Sequence, residues 1–263
     1  MHMIVCVKQV PDTTEVRIDP VTNTLDRSSA PAIINPYDSH AVEEAVRIKE
    51  MHGGKVTVIS MGPPNAIEVI KRCIALGADE GYLLSDRAFA GSDTLATSYI
   101  LSQGIATISR REPVDLILCG KQAIDGDTAQ VGPGIARRLG IPQLTYVNHV
   151  AGIDPARKEI KVHRKLDDAY EVVVAKLPCL LTVEKEINEL SYSSLPNMLR
   201  AVRFEPKILT VADLQADLSM MGLKGSPTSV SKIFAPPQRS GGEICSVEQL
   251  VEKLLELHSN EKC

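Results

Sequence analysis

Leu116–Pro133, LILCGKQAIDGDTAQVGP, is the stretch whose reading decides the fold. Its first residues form an apolar run suited to a buried strand, and Gly120 ends it. A Gly/Asp/Thr-rich loop follows, then a helix. Gly126 permits backbone torsions that other residues avoid. Asp127 and Thr128 are helix-capping types, and the peptide N–H groups just after them lack partners inside the helix. Such a helix start attracts phosphate through those N–H groups and the positive end of the helix dipole. A plain strand–turn–helix connection is the alternative, because turns also collect Gly and Asp. Pro133 suits a first helical turn and would kink the helix anywhere later, so the start is fixed only to within several residues.

Working outward, similar units recur. Met3–Val7 is an apolar strand. Glu15–Asp26 alternates, turns at Asp19–Asn23 and returns through Leu25, which predicts a hairpin over the first strand's end. Ser28–Asp38 is proline-punctuated and carries Asn35-Pro36-Tyr37-Asp38. After it, AVEEAVRIKEMHGG reads as an amphipathic helix with Ala41, Ala45, Val46 and Ile48 on its apolar face, stopped at Gly53–Gly54. Lys55–Ser60 and Gly81–Leu84 are further strands with a helix between them. Asp93 caps a long helix over Thr94–Ser109, and Val114–Cys119 leads into the opening stretch. Strands separated by helices of this length mean right-handed βαβ units in a doubly wound, mainly parallel α/β sheet. Ligands of such sheets sit beyond the carboxyl ends of the strands, where the winding reverses. Cys6–Lys8, Met61–Gly62 and Gly120–Gln122 should therefore meet in one crevice.

After Gly140 the character changes. Gln143–Val150, Glu159–Arg164 and Glu171–Lys176 alternate, and Cys179–Val183 is apolar, which predicts an antiparallel extension at one sheet edge. Ile187–Arg203 reads as an irregular loop holding Leu195–Pro196, and Leu209–Leu218 as a short helix. Ser246–His258 is amphipathic, with Val247, Leu250, Val251, Leu254 and Leu255 on one face. That face either lies on a partner or folds back on its own domain. The expected division is a nucleotide-binding α/β domain over residues 1–203, including the loop 187–203, and a C-terminal arm over 204–263.

The totals set bounds. A chain of 263 residues with 44% hydrophobic content supports one large domain or a domain with an extension. A net charge of −4 without a basic stripe argues against a nucleic-acid partner. No apolar run approaches a membrane-spanning length, so membrane insertion is not expected. The N-terminal apolar run meets Lys8 early and lacks a cleavage region, so it reads as a strand and not a signal peptide. The six cysteines are widely spaced, which fits reduced thiols in the cytoplasm. The scattered histidines suggest no metal site. No GxxxxGK[ST] motif is present, which weighs against a free-standing nucleotide hydrolase or adenylating enzyme on the same sheet.

These pieces resemble the β subunit of electron-transfer flavoproteins. The likeness rests on VCVKQV at Val5–Val10, on NPYD with the following helix, on GKQAIDGDTAQVGP, and on KLPCLLTVEKEIN at Lys176–Asn188 leading to YSSLPNMLRA. Pro236–Arg239 and the closing helix fit the same family's C-terminal arm. The resemblance implies a heterodimer with a larger α subunit and an adenine nucleotide in the crevice. It implies nucleotide contacts from Cys6, from Asn35, Pro36, Tyr37 and Asp38, from Met61, and from Gly120, Lys121, Gln122, Ala123, Ile124, Asp125, Gly126, Asp127, Thr128, Ala129, Gln130 and Val131. In one branch of the family the nucleotide is AMP with a structural role; in the electron-bifurcating branch it is FAD. The glycine between two aspartates in DGDTAQVGP, and LLSDRAFAGSDTLATS at Leu83–Ser98, are similar to the bifurcating branch. That branch implies NADH as transient donor, ferredoxin as one acceptor, and a flavin-containing dehydrogenase or reductase reached through the α-subunit flavin. Asp93 and Thr94 are candidates to touch the flavin ring. The resemblance also implies that Leu195 plugs into the dehydrogenase partner. One departure stands out: Asn188-Glu189-Leu190-Ser191-Tyr192 replaces the family's usual Asn-x-Pro-Arg-Tyr, which puts a salt bridge there in doubt.

Overall fold

The computed structural model describes residues 1–12, 17–18, 25–26, 32–229, 241–242 and 244–260. The strands are β1 (His2–Cys6), β2 (Gln9–Pro11), β3 (Arg17–Ile18), β4 (Leu25–Asp26), β5 (Ala32–Ile34), β6 (Lys55–Met61), β7 (Glu80–Leu84), β8 (Leu116–Gly120), β9 (Gln143–Asp154), β10 (Glu159–Lys165), β11 (Tyr170–Lys176), β12 (Cys179–Val183) and β13 (Lys207–Leu209). The helices are α1 (Pro36–His52), α2 (Ile67–Leu76), α3 (Thr94–Ser109), α4 (Val131–Leu139), α5 (Leu195–Arg203) and α6 (Val247–Asn260).

Nine of these strands form one sheet in the order β11-β10-β9-β12-β8-β1-β6-β7-β13. β1 lies between β6 and β8, parallel to both. The chain winds from β1 through α1 to β6 and through α2 to β7, then crosses back by α3 to β8 on the other side of β1. The reversal therefore falls between β1 and β8. Alternate β1 side chains feed two cores, as strand geometry requires. Met3 and Val5 join α1 and α2 residues such as Ala41, Ile48 and Ile70, whereas Ile4 and Cys6 join Ile100, Ile105 and Ile135 from α3 and α4. Burying each such Ile contributes about 1.5–3 kcal/mol. Helices on both faces leave one exposed rim at the strands' carboxyl ends.

The antiparallel extension holds for β9, β10 and β11, a meander at one edge; β12, expected as part of it, instead lies inside the sheet and pairs parallel with both β8 and β9. β3 and β4 pair antiparallel as the two arms of the expected hairpin. Its turn at Asp19–Asn23 lies outside the described residues, as does Pro236–Arg239.

Three further elements differ from the sequence reading. α1 starts at Pro36, ahead of the AVEEAVRIKE pattern, because proline fits the first helical position where no N–H is needed. Leu195–Arg203 is a helix and not an irregular loop. Pro196 occupies its first turn, and the Ser194 hydroxyl accepts the Asn197 N–H at 3.4 Å. In place of a helix over Leu209–Leu218 there is a three-residue strand, β13, parallel to β7, followed by single 3₁₀ turns at Val211–Asp213 and Leu218–Met220.

The chain forms two compact units, Met1–Ser231 and Lys232–Cys263. The first holds both cores. In the second, α6 presents Val247, Leu250, Val251, Leu254 and Leu255, all exposed.

Candidate functional site

The rim over the winding reversal is built from the last residues of β6, β1 and β8, which are Met61, Cys6 and Gly120. Register pairing sets Cys6 beside both Ile59 and Cys119. The sheet thus brings together three expected contact points that are far apart in sequence. Cys6 and Cys119 are buried, and the pairing between their thiols, with burial added, pushes Cys119 well above the ordinary thiol range. Both side chains pack into the core below the crevice.

The Asn35–Asp38 segment is wedged between the two strand ends. The buried Asp38 carboxylate accepts the Lys8 N–H at 2.8 Å with Oδ2 and the Gly120 N–H at 3.1 Å with Oδ1. Asn35 donates its N–H to the Lys8 carbonyl at 2.9 Å. Its side chain donates to the Gln122 carbonyl at 2.8 Å and accepts the Ile124 N–H at 3.2 Å. These two side chains engage the protein's own backbone; what they leave to a ligand is the surface of Pro36 and Tyr37, both half-buried. Lys185 caps the Tyr37 ring, its Nζ 4.7 Å from the centroid. Gly120 is required by this wedge, since a Cβ there would lie 2.4 Å from Asp38 Oδ1.

The loop from Lys121 to Gln130 corrects the sequence reading in two respects. Gly126 does not carry the left-handed backbone; Asp127 (φ 53°) and Ala129 (φ 55°) do. Nor do Asp127 or Thr128 cap the helix, which begins at Val131 after Gln130, whose side chain makes no capping bond to it. The Gly126 and Asp127 N–H groups turn inward to the Ala123 carbonyl, at 3.3 and 2.8 Å. Among the described residues, the N–H groups of Thr128, Ala129, Gln130 and Val131 meet no protein acceptor. Alternation of left- and right-handed residues, here Ala129 and Gln130, turns successive N–H groups toward one anion-sized concavity. Beyond its two chain neighbours, no atom of the described residues lies within 4 Å of a Cβ built on Gly126.

Side chains tie this loop at both ends. Lys8 reaches both Asp125 oxygens, at 2.7 and 2.8 Å. Gln122 hydrogen-bonds to Asp127, and the Thr94 hydroxyl donates to Gln130 Oε1 at 2.7 Å, so α3 and α4 begin side by side. Lys121 pairs with Glu184 at 3.0 Å; burial pulls its ammonium down, but Glu184 outweighs this and holds it above the ordinary value. The Lys121 Nζ also lies 4.9 Å from the Tyr146 ring centroid. Tyr146, at φ 57°, was not visible from sequence, because nothing in a strand pattern marks a bulge where an aromatic residue turns left-handed. Asp93 caps α3 through the Leu95 and Ala96 N–H groups and accepts from Thr228.

A second surface lies on α5. Arg200 donates to the Ile74 and Ala78 carbonyls, at 3.1 and 2.7 Å, and Ala201 is buried, which fixes one side of the helix. The opposite row, Leu195, Met198, Leu199 and Val202, is exposed, Leu195 by 69%. Sequence reasoning singled out Leu195 alone; the i, i+3, i+4, i+7 spacing would have found the rest. Upstream, the Ser191 hydroxyl and N–H both donate to Glu43, at 2.6 and 3.2 Å. A hydroxyl and an amide, and not a cation, meet the Glu43 carboxylate there.

Fold and crevice together define a doubly wound α/β protein of the kind that takes its ligand at the strand reversal. The sequence profile of the electron transfer flavoprotein domain matches residues 22–214. Protein FixA of Azotobacter vinelandii is 53% identical over 241 residues, 91% of this chain and 86% of that one. The electron transfer flavoprotein subunit beta of Thermoanaerobacterium thermosaccharolyticum is 50% identical over 265 residues, 98% and 99% of the two chains. Subunit CarD of the caffeyl-CoA reductase-Etf complex of Acetobacterium woodii is 47% identical over 266 residues, again 98% and 99%. The chain belongs to the electron-transfer flavoprotein family, as a β subunit. Membership carries an α-subunit partner and a redox partner with it. Among the described residues, no helix is long and apolar enough to cross a membrane.

Proposed function

We propose that this chain is the β subunit of an electron-bifurcating electron-transfer flavoprotein. It holds FAD in the β1/β8 crevice, takes electrons from NADH, and delivers them to ferredoxin and, through the α-subunit flavin, to an acyl-CoA dehydrogenase-like flavoenzyme. The observation that carries this reading is the loop at Gly126–Val131. Its four unengaged N–H groups suit phosphate oxygens. Gly126 adds no third carboxylate between Asp125 and Asp127 and permits close backbone approach to a diphosphate. Thr128 adds a hydroxyl donor beside those amides. Cys6, Met61 and the Pro36–Tyr37 surface would bracket the adenosine end. A flavin bound there supplies the redox chemistry; the chain orients it and keeps charge away from the phosphates. Similarity to CarD, a subunit of a caffeyl-CoA reductase-Etf complex, supports the same reading.

The exposed row on α5 extends the anchor at Leu195 into a docking strip for the flavoenzyme partner. The closing helix, α6, packs on the α subunit. Co-purification with the α subunit, followed by a flavin count and analysis of released nucleotide, tests the assignment. Two flavins per heterodimer are expected. One flavin with one AMP would instead make this the AMP-holding, non-bifurcating kind.

A further inference from the structure

We propose that Asp38 is a positioning residue: by holding the Lys8 and Gly120 amides at once, its carboxylate sets the separation of the two strand ends and makes the grip on the nucleotide depend on a proton. The proposal rests on the nucleotide reading above. Among the described residues, Asp38 is the one carboxylate that meets both edges of the crevice, beside Asn35, which ties the Lys8 carbonyl to the loop after Gly120. On one side, the Lys8 main chain is held by Asp38 and Asn35 while its side chain holds Asp125 of the loop. On the other, Gly120 is the residue from which that loop departs.

Only the ionised carboxylate can accept from both amides with both oxygens. Adding a proton turns one oxygen into a donor facing an N–H, and one of the two amides loses that acceptor. Burial pushes the Asp38 carboxyl up to about 7, against the N–H groups of Lys8 and Gly120 and the Asn35 side chain, so both forms are populated near neutrality. The titratable groups around it are Lys8 beyond β1, Cys73 from α2 and Cys119 from β8. Both thiols are pushed up, Cys73 chiefly by burial and Cys119 chiefly by its pairing with Cys6, and both stay neutral. The proton exchanged near neutrality therefore belongs to Asp38.

Two pH dependences then run in opposite directions. The fold is favoured by the protonated form, because burying the charge is costly. The crevice is favoured by the ionised form. A residue that merely filled space would move both together.

The test uses the complex with its α subunit, stripped of nucleotide and titrated with FAD by fluorescence from about pH 5.5 to about 8.5. FAD should bind about three- to tenfold more weakly at the acid end, the worth of one hydrogen bond. Asp38→Asn should bind at the weaker level with a flat profile, since its amide retains one acceptor. Hydrogen exchange at the Lys8 and Gly120 amides, corrected for intrinsic rates, should quicken in the variant. A flat wild-type profile, or an Asp38→Asn complex matching wild type at about pH 8, overturns the proposal and leaves the nucleotide reading standing. Failure of the wild-type complex to take FAD at any pH overturns the nucleotide reading, and this inference with it.

Discussion

Gly120 leaves no space for a methyl group, since Asp38 Oδ1, Tyr37 Cβ and the Asp38 amide all crowd the position at 2.4–2.8 Å. Gly120→Ala should lower stability by about 1–3 kcal/mol, read as a shift in the urea midpoint. Thr128→Glu, by contrast, touches no core. It places bulk and negative charge among the free amides, and should leave the melting temperature near wild type while abolishing nucleotide retention. Unchanged nucleotide content in that variant would contradict the placement of the phosphates. Asp38 also sets a stability profile. Its folded-state value near 7 exceeds the unfolded 3.8, so its contribution is fully present below about 3.8 and is lost as pH rises through about 7. Chemical denaturation should show wild type gaining on the order of 2–4 kcal/mol relative to Asp38→Asn as pH falls across that window. At this scale the sequence was legible only in part. It identified the NPYD segment and the DGDTAQ loop as belonging to one crevice. It could not tell an amide that faces a ligand from one folded back on Ala123, nor a side chain on the surface from one clamped between strand ends. Those distinctions depend on φ signs at Asp127 and Ala129, which composition does not record.

Among the elements, α5 carries the clearest division of labour. Arg200 and Ala201 secure it against the end of α2, so the Leu195 row can be altered without touching a core. Leu195→Ala should change stability by less than about 0.5 kcal/mol. It should weaken capture by the dehydrogenase partner by about tenfold or more if Leu195 is the buried anchor, measured by surface binding with the intact heterodimer. Asn188 is the opposite case. It donates to the buried Glu44 carboxylate and to the His40 carbonyl, both at 3.1 Å. Asn188→Ala should cost about 1–3 kcal/mol by leaving that carboxylate short of a donor. Strands of five or more apolar residues and helices with clear caps were readable from their periodicity. α5 was missed because Leu195–Pro196 looks like an interruption, although proline in a first turn starts a helix as readily as it breaks one. β13 was missed because three residues give no period to measure.

For the molecule as a whole, both hydrophobic cores fall within Met1–Ser231. A chain ending at Ser231 should therefore fold with its cooperative transition intact, and should lose the α subunit in size-exclusion chromatography if α6 is the element that holds it. The arrangement of the sheet has one more consequence, for synthesis. β1 emerges from the ribosome first, yet its neighbour on one side, β8, is not translated until residue 116. During that interval the central strand of the finished protein has a naked edge, a template for pairing with other nascent chains. Nothing can be received at the strand tips until that edge is closed. A ligand supplied to the growing polypeptide should thus give no protection before β8 has emerged.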